Sequence, residues 1–463
     1  MVRVRYQLWK IGVVAVCCLA VLLAVVLPAP VDAAEQFAAG TPMIRVLLSS
    51  HSSSYAVTVE EGEYALVTED APQDILQEYG PGSRIVFHSP EEADGFAEDS
   101  MLMLLPLDED CLFRFNGLLY RGGFQTSRGD AYYAVNLVDV EQYLYGVVGY
   151  EIGYDYSLDA TAAQAVAARS YALASIGAEN RYYDVTNTVS SQVYGGYSAE
   201  TAAIRAAVDA SCGYVVMCDD EVVQAYYCSN AGGHTENIEN VWYSDEVPLR
   251  GVDSSWDALA AEYSDYGASC YSWTVTYSPS TLVRLANAYG DTDIGTFEEI
   301  TVYTEYDGQS SVSGRAMSVT IQGSRGSVTA TKDNIRSLLD LKSTLIQVSG
   351  GSGKQVAAYV LGSNGELTAW EKLSDLFATG GNGAMHANGE EDTLYVVTAY
   401  GVEELDKEAS QSEEIIINGW GYGHGVGMSQ WGAIAMGDAG YSWEEIIEHY
   451  YCSDRSITLE QLY

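Results

Sequence analysis

The chain has 463 residues, enough for two or three domain-sized units, and 48% of them are apolar, so a substantial core is available. It carries 64 acidic against 22 basic residues, a net charge of −42, which argues against a nucleic-acid or anionic-membrane partner, because phosphate binding needs clustered Lys and Arg. Its 36 tyrosines, against 8 Phe and 8 Trp, suit both wet grooves that hold polar ligands such as sugars and half-buried strand positions.

Arg3, Arg5 and Lys10 precede IGVVAVCCLAVLLAVVL (11–27), an uncharged apolar run, followed by PAPVDAAEQ, where Val31-Asp32-Ala33 fits a small-residue cleavage site. Residues 1–33 therefore read as a signal peptide or a single N-terminal membrane anchor. Either way the remainder is expected to be extracytoplasmic, secreted or anchored in the cytoplasmic membrane. Cys17 and Cys18 belong to this leader. The six others, at 111, 212, 218, 228, 270 and 452, are an even number compatible with disulfides, and no CxxC pair occurs.

MIRVLLSS (43–50) and SYAVTVEEGEYALVTED (54–70) alternate apolar and polar residues and predict strands, a style that continues over 102–148. SLDATAAQAVAARSYALASIG (157–177) predicts a helix capped by Ser157 and ended by Gly177. Leu158, Ala162, Ala165, Val166, Leu173 and Ile176 fall on one face of it. Arg169 sits on that face, where a charge needs a partner, most simply a carboxylate. It either braces the fold or touches substrate. A second helix follows over 198–213. A hairpin over 214–229 turns on CDDE, and 301–343 predicts three short strands and a helix starting near Lys332. Residues 346–412 are Gly-rich and read as an insertion or a loosely built β region. Helix-like 429–440 and 443–451 close the chain. The fold class is α+β, with a β-rich catalytic domain and several packed helices.

Three segments carry candidate chemistry. Glu151 follows an apolar strand and precedes the 157–177 helix, flanked by Tyr150, Tyr154 and Tyr156. A carboxyl desolvated among aromatics has the raised pKa that a general acid near neutrality requires, although an isolated loop glutamate has the same local pattern. TVSSQVYGGYSAE (188–200) and AYYCSNAGGHTENIENVW (225–242), the latter followed by LRGVDSSWD (249–257), offer small residues, Asn and His that suit a polar groove. Cys228 and His234 raise a thiol nucleophile or a metal pair, but no cysteine-hydrolase signature accompanies them, and two ligands do not make a metal site. GWGYGHGVGMSQWGA (419–433) has six glycines around one histidine. It lacks the GKS/T ending of a phosphate loop and the GxGxxG fingerprint, and it is too aromatic for a flexible linker. A glycine-lined wall that lets backbone approach a ligand closely is what remains.

Taken in order, GVVGYEIGYDYSLDATAAQAVAARSYALA, VSSQVYGG, AYYCSNAGGHTENIENVW, SGRAMSVTIQGSRGSVTATKDNIRSLLDLKST and GWGYGHGVGMSQWGA resemble the stage II sporulation protein D family, which includes the amidase-enhancer proteins of the LytB type. The resemblance covers roughly 42–345 and 415–452. It implies one catalytic domain made of 42–345 and 413–463, interrupted by 346–412. It also implies an exported peptidoglycan lytic transglycosylase that cleaves MurNAc–GlcNAc bonds of glycan strands, preferably those lacking stem peptides, without water, leaving 1,6-anhydro-MurNAc ends. A role in sporulation engulfment comes with the family. The motif "GVV-x-x-E" places the catalytic role on Glu151. One carboxyl then suffices, as acid toward the glycosidic oxygen and as base toward the C6 hydroxyl, where hydrolytic glycosidases pair two.

The same resemblance implies glycan contacts at Tyr194, Gly195, Ser229, Gly232, Gly233, His424, Ser429 and Gln430, with His424 either orienting substrate or holding the glutamate. No cofactor is required. Some members bind zinc near this groove through His and Cys, but Cys228 stands where a His is expected, so a zinc site is left open and a Cys228–Cys270 disulfide is an equal alternative. The partners implied are peptidoglycan glycan strands and no nucleic acid. The alternative function is a non-enzymatic, wall-binding enhancer of a cell-wall amidase.

Overall fold

A computed structural model describes residues 41–50, 52–89, 102–128, 131–177, 182–242, 249–350, 414–454 and 456–463, with the backbone of short strands between 353 and 405. The expected leader lies outside the described residues, and no described helix is long and apolar enough to cross a membrane. The fold is α+β. The chain forms two compact units. The first runs to Tyr150 and adds Ser175–Glu200 and Tyr463. The second takes Glu151–Ala174 and Thr201–Leu462.

The first unit is built on strands β1 (Met43–Ser49), β2 (Ser54–Glu61), β3 (Tyr64–Thr68), β4 (Gln77–Tyr79), β5 (Arg84–His88), β6 (Leu102–Pro106), β7 (Leu112–Phe115), β8 (Leu118–Tyr120), β9 (Gly123–Arg128), β10 (Tyr132–Asp139) and β11 (Val185–Thr186). They make a seven-stranded sheet, β11-β1-β10-β9-β6-β3-β4, and a four-stranded sheet, β5-β2-β7-β8. All pairings are antiparallel except β1 with β11. The alternation read over 43–70 appears as the burial of Ile44, Val46, Tyr55, Val57 and Val59. Phe87, Phe113, Phe115 and Phe124, half of all the phenylalanines, pack together with ring centroids 5.1–5.8 Å apart. Helix α1 (Val140–Tyr145) follows β10, its first N–H groups taken by the Asp139 side chain. Arg45 pairs with Asp184 at 2.7 Å and Arg121 with Glu200 at 2.7 Å, which holds the 182–200 segment to this unit.

The second unit begins within helix α2 (Val148–Ile152) and continues into α3 (Leu158–Ala174). Ser157 starts α3 as expected, accepting from the Ala160 N–H at 3.3 Å. The one-face reading of α3 does not hold. Leu158 and Ile176 are exposed, and Ala160 through Ser170 are buried without interruption. The cause is that α3 is packed by α4 (Ala202–Ala210), β12 (Tyr214–Cys218), α5 (Gln430–Asp438) and α6 (Trp443–Tyr451). Alanine lets these elements approach on several sides, and a Cβ on Gly437 would come within 2.4 Å of the Ser157 hydroxyl.

The CDDE turn forms with Asp219 and Asp220 both at positive φ, 52° and 67°, as a two-residue hairpin turn requires. Only β13 (Glu221–Val222) returns along β12, however. β14 (Tyr227–Cys228) leaves the hairpin and pairs in parallel with Met428–Ser429. A second core lies under β15 (Ser272–Tyr277), β16 (Phe297–Tyr303) and the strands Ser318–Gly323 and Gly326–Thr331, with helix Pro279–Gly290 against them. Leu345–Ser349 belongs to this framework: it pairs antiparallel with Ile415–Trp420, Ser349 opposite Ile416. The Gly-rich region thus leaves from one strand and returns on its neighbour.

Candidate active site

Glu151 is half-buried near the end of α2, while Tyr154 is exposed. Gly153 follows at φ 105°, and a Cβ there would meet the Tyr156 ring at 2.7 Å. That ring stands edge-on to Trp431, centroids 5.9 Å apart, and Tyr263 packs on both, at 6.3 Å from Tyr156 and 5.7 Å from Trp431. The Trp431 N–H donates to the Ser229 carbonyl at 3.1 Å. Gln430 Nε2 donates to Gln164 Oε1 on α3 at 3.3 Å. Inside the second unit, therefore, the Glu151 loop, the Ser229 segment and the glycine motif converge on the Tyr156–Trp431 contact.

The glycine motif is a folded ribbon. Gly421, Gly423, Gly425 and Gly427 all have positive φ, from 70° to 112°, and alternate with Tyr422, His424 and Val426. Their bare α-carbons face the protein itself. A Cβ on Gly427 would lie 2.0 Å from the Tyr226 carbonyl, and one on Gly425 2.3 Å from the Arg315 guanidinium. Close approach was expected toward a ligand; at these positions it is toward the 226–231 segment and Arg315. Ser429 caps α5.

His424 is half-buried, its ring between Trp242, centroids 4.8 Å apart, and Tyr226 at 6.2 Å. Its Nδ1 accepts from the Val426 N–H at 3.1 Å. Burial first, then the positive charges of Arg336 and Arg315, lowers its pKa from 6.5 to about 3. The imidazole is therefore neutral at physiological pH and cannot serve as a cation.

Behind these residues lies a buried polar network that sequence reasoning missed. The Asp257 carboxylate accepts from the Ser429 hydroxyl at 2.5 Å and from the Gly233 N–H at 3.0 Å. Ser429 Oγ accepts in turn from the Ala231 N–H at 3.2 Å, and Asn230 Nδ2 donates to the Asp257 carbonyl. Burial pushes Asp257 up to about 6 against these hydrogen bonds. Gly232 donates to Asn230 Oδ1 at 2.8 Å. Glu236, also buried, accepts from the hydroxyls of Ser311 and Ser313 and from Asn240 Nδ2. Arg315 is fully buried and donates to the Ala231 carbonyl at 2.7 Å. Asp257 sits in the quoted LRGVDSSWD run with Asp253, but its partners are 24 and 172 positions away, so nothing local marked it out.

The other expected residues take different places. Tyr194 lies in the first unit, buried between Tyr120 and Tyr143, its hydroxyl donating to Asn136 Oδ1 at 2.8 Å. Gly195 donates to the Gly146 carbonyl at 3.0 Å. Arg169 is fully buried in the second unit and donates to the backbone carbonyls of Tyr214 and Val208, joining α3 to α4 and β12. Among the described residues no group of three or more His, Cys, Asp or Glu stands ready to hold a metal. Cys228 and Cys270 are buried free thiols and form no disulfide with each other. Burial raises the Cys228 pKa to about 12, so it is a thiol and not a nucleophilic thiolate at neutral pH.

The family model described as stage II sporulation protein, SpoIID, matches residues 128–232, the stretch that holds Glu151, Arg169, Tyr194, Ser229 and Gly232. Over that stretch the chain is similar to the SpoIID family. A domain of unknown function matches 237–365, beside the SpoIID domain. Among curated relatives, an uncharacterized protein of Brachyspira hyodysenteriae is 26% identical over 73% of this chain and 72% of its own length. The amidase enhancer of Bacillus subtilis is 28% identical over 66% of this chain, which spans only 39% of that longer protein. Stage II sporulation protein D of Bacillus amyloliquefaciens is 24% identical over 69% of this chain and 74% of its own.

Proposed function

We propose that the protein is an exported peptidoglycan lytic transglycosylase in which Glu151 is the single acid and base. The observation that supports this most directly is the aromatic contact through Tyr156 and Trp431, which brings the Glu151 loop, Ser229 and Gln430 into one region of the second unit. A glutamic acid there protonates the glycosidic oxygen of a MurNAc–GlcNAc bond. As carboxylate it then draws the proton from the C6 hydroxyl while that oxygen closes on C1, giving the 1,6-anhydro ring. No second carboxylate is needed, because no water attacks. Asp257 fixes Ser429, Gly233 and, through Ser429, Ala231, so it positions the polar edge of the site rather than taking part in the chemistry.

The test is mass spectrometry of products from peptide-free peptidoglycan. Anhydro-ended sugars released by the wild-type protein, and lost at least a thousandfold in a folded Glu151→Gln variant, are the expected result. Reducing ends that have taken up water would replace this reading with a hydrolase. A second reading, a wall-binding enhancer of a separate amidase, is favoured by the name of the Bacillus subtilis relative. It predicts no sugar release at all and a faster amidase when the two proteins are mixed.

A further inference from the structure

One surface feature next to this region is not used by the reaction above. Tyr266 is 62% exposed and Tyr422 36%. Both belong to the Ser229 neighbourhood. The Tyr266 hydroxyl is within hydrogen-bonding reach of the Ser229 side chain and close to Tyr422, and the backbones of Tyr422 and Asn230 exchange hydrogen bonds at 2.8 and 3.1 Å. Lys342 stands over the Tyr422 ring, its Nζ 5.6 Å from the centroid. The lysine is held on two sides: Nζ donates to the Ser269 carbonyl at 2.7 Å, and its own carbonyl accepts from the Gly423 N–H at 2.9 Å. Ser269 in turn donates to the Tyr266 carbonyl at 2.8 Å. A half-exposed ammonium with two further donors is thus fixed over the Tyr422 ring and linked through Ser269 to the Tyr266 backbone, in a chain with almost three acidic groups for each basic one.

We propose that Tyr266, Tyr422 and Lys342 form a subsite for a sugar unit bearing a free carboxylate, which on a glycan strand is the lactyl group of a MurNAc residue that carries no stem peptide. The proposal rests on the glycan reading above and names what would select the strand. Tyrosine faces suit the apolar face of a pyranose ring, and their hydroxyls take its polar rim. A carboxylate approaching a strongly negative protein is repelled at long range, so it needs a placed cation. Lys342 supplies one whose position is set by its bond to Ser269 and by its place over the Tyr422 ring. A lactyl group joined to a peptide is an amide with no charge to pair, and the peptide adds bulk at the same point. Selection for peptide-free strands then comes from a charge-assisted hydrogen bond worth about a tenfold affinity difference.

The experiment is calorimetric binding of two probes to Glu151→Gln protein, which blocks turnover: peptide-free glycan strands with free lactyl carboxylates, and the same strands with those carboxylates converted to amides. The expected result is about tenfold tighter binding of the free acid, a difference erased by Lys342→Met and kept by Lys342→Arg. Tyr266→Ala should weaken both probes together. Equal affinity for the two probes, or a preference that survives Lys342→Met in a folded variant, overturns the subsite. Binding and cleavage separate the two ideas. A carboxylate preference without anhydro products from the wild-type protein would sink the Glu151 reaction and leave the subsite standing. Anhydro products without the preference would do the reverse.

Discussion

Two titrating side chains at the glycine motif, buried Asp257 and half-buried His424, pull stability in opposite directions with pH. Asp257, raised from 3.8 to about 6, binds its proton more readily folded than unfolded. Its contribution is full below about pH 4 and is lost as pH rises through about 6. His424, lowered from 6.5 to about 3, does the opposite: its contribution is present above 6.5 and is lost as pH falls toward 3. Between about 4 and 6 the two slopes offset each other. Asp257→Asn removes only the first, so the variant's unfolding free energy from urea titrations should climb with pH across that window more steeply than the wild type's, by up to about 1.4 kcal/mol per pH unit. Parallel curves for the two proteins would sink the assignment. Nitrogen-15 spectra of the imidazole at pH 5 should show His424 neutral, with its proton on Nε2 and Nδ1 as the acceptor.

At the level of elements, the ribbon of alternating glycines shows how far the sequence could be read. Its oddness was plain, and so was the α5 start at Ser429. What lies against it was not, because Tyr226, Cys228, Asn230 and Arg315 are 110 to 201 positions away in sequence from the glycines they meet. The CDDE turn was legible because everything that shapes it is local. The crowding around α3 was not, because helical periodicity records one covered face and cannot count neighbours. These packing differences predict unequal costs for the same substitution. Gly427→Ala meets both a positive φ of 70° and the Tyr226 carbonyl at 2.0 Å, and should lose 3 kcal/mol or more, on the order of a severe core defect. Gly233→Ala, at φ 106° with nothing within 4 Å, should lose only about 1–2 kcal/mol. Chemical denaturation of the two variants compares them directly, and equal losses would show that the contacts of Gly427 do not matter.

For the whole molecule, the pairing of Leu345–Ser349 with Ile415–Trp420 places the ends of the Gly-rich region side by side. Gly353–Gln355 adds a parallel edge strand to β16, so replacing only 357–413 by a short linker should leave a single cooperative transition with Tm lowered by only a few degrees, because the paired strands already hold their register and a loop's closure cost varies slowly with its length. If the shortened chain fails to fold while the full chain folds, the region supports the core in a way its backbone pairings do not convey. The division into strands and helices was readable from alternation and capping; the split into two units was not, since each draws on segments on both sides of α3. The free thiols have a different consequence, one that concerns how the chain matures. Cys111, Cys228 and Cys270 are buried free thiols, so packing the cores around them involves no oxidation step. The described segments should therefore refold equally well with or without a thiol reductant.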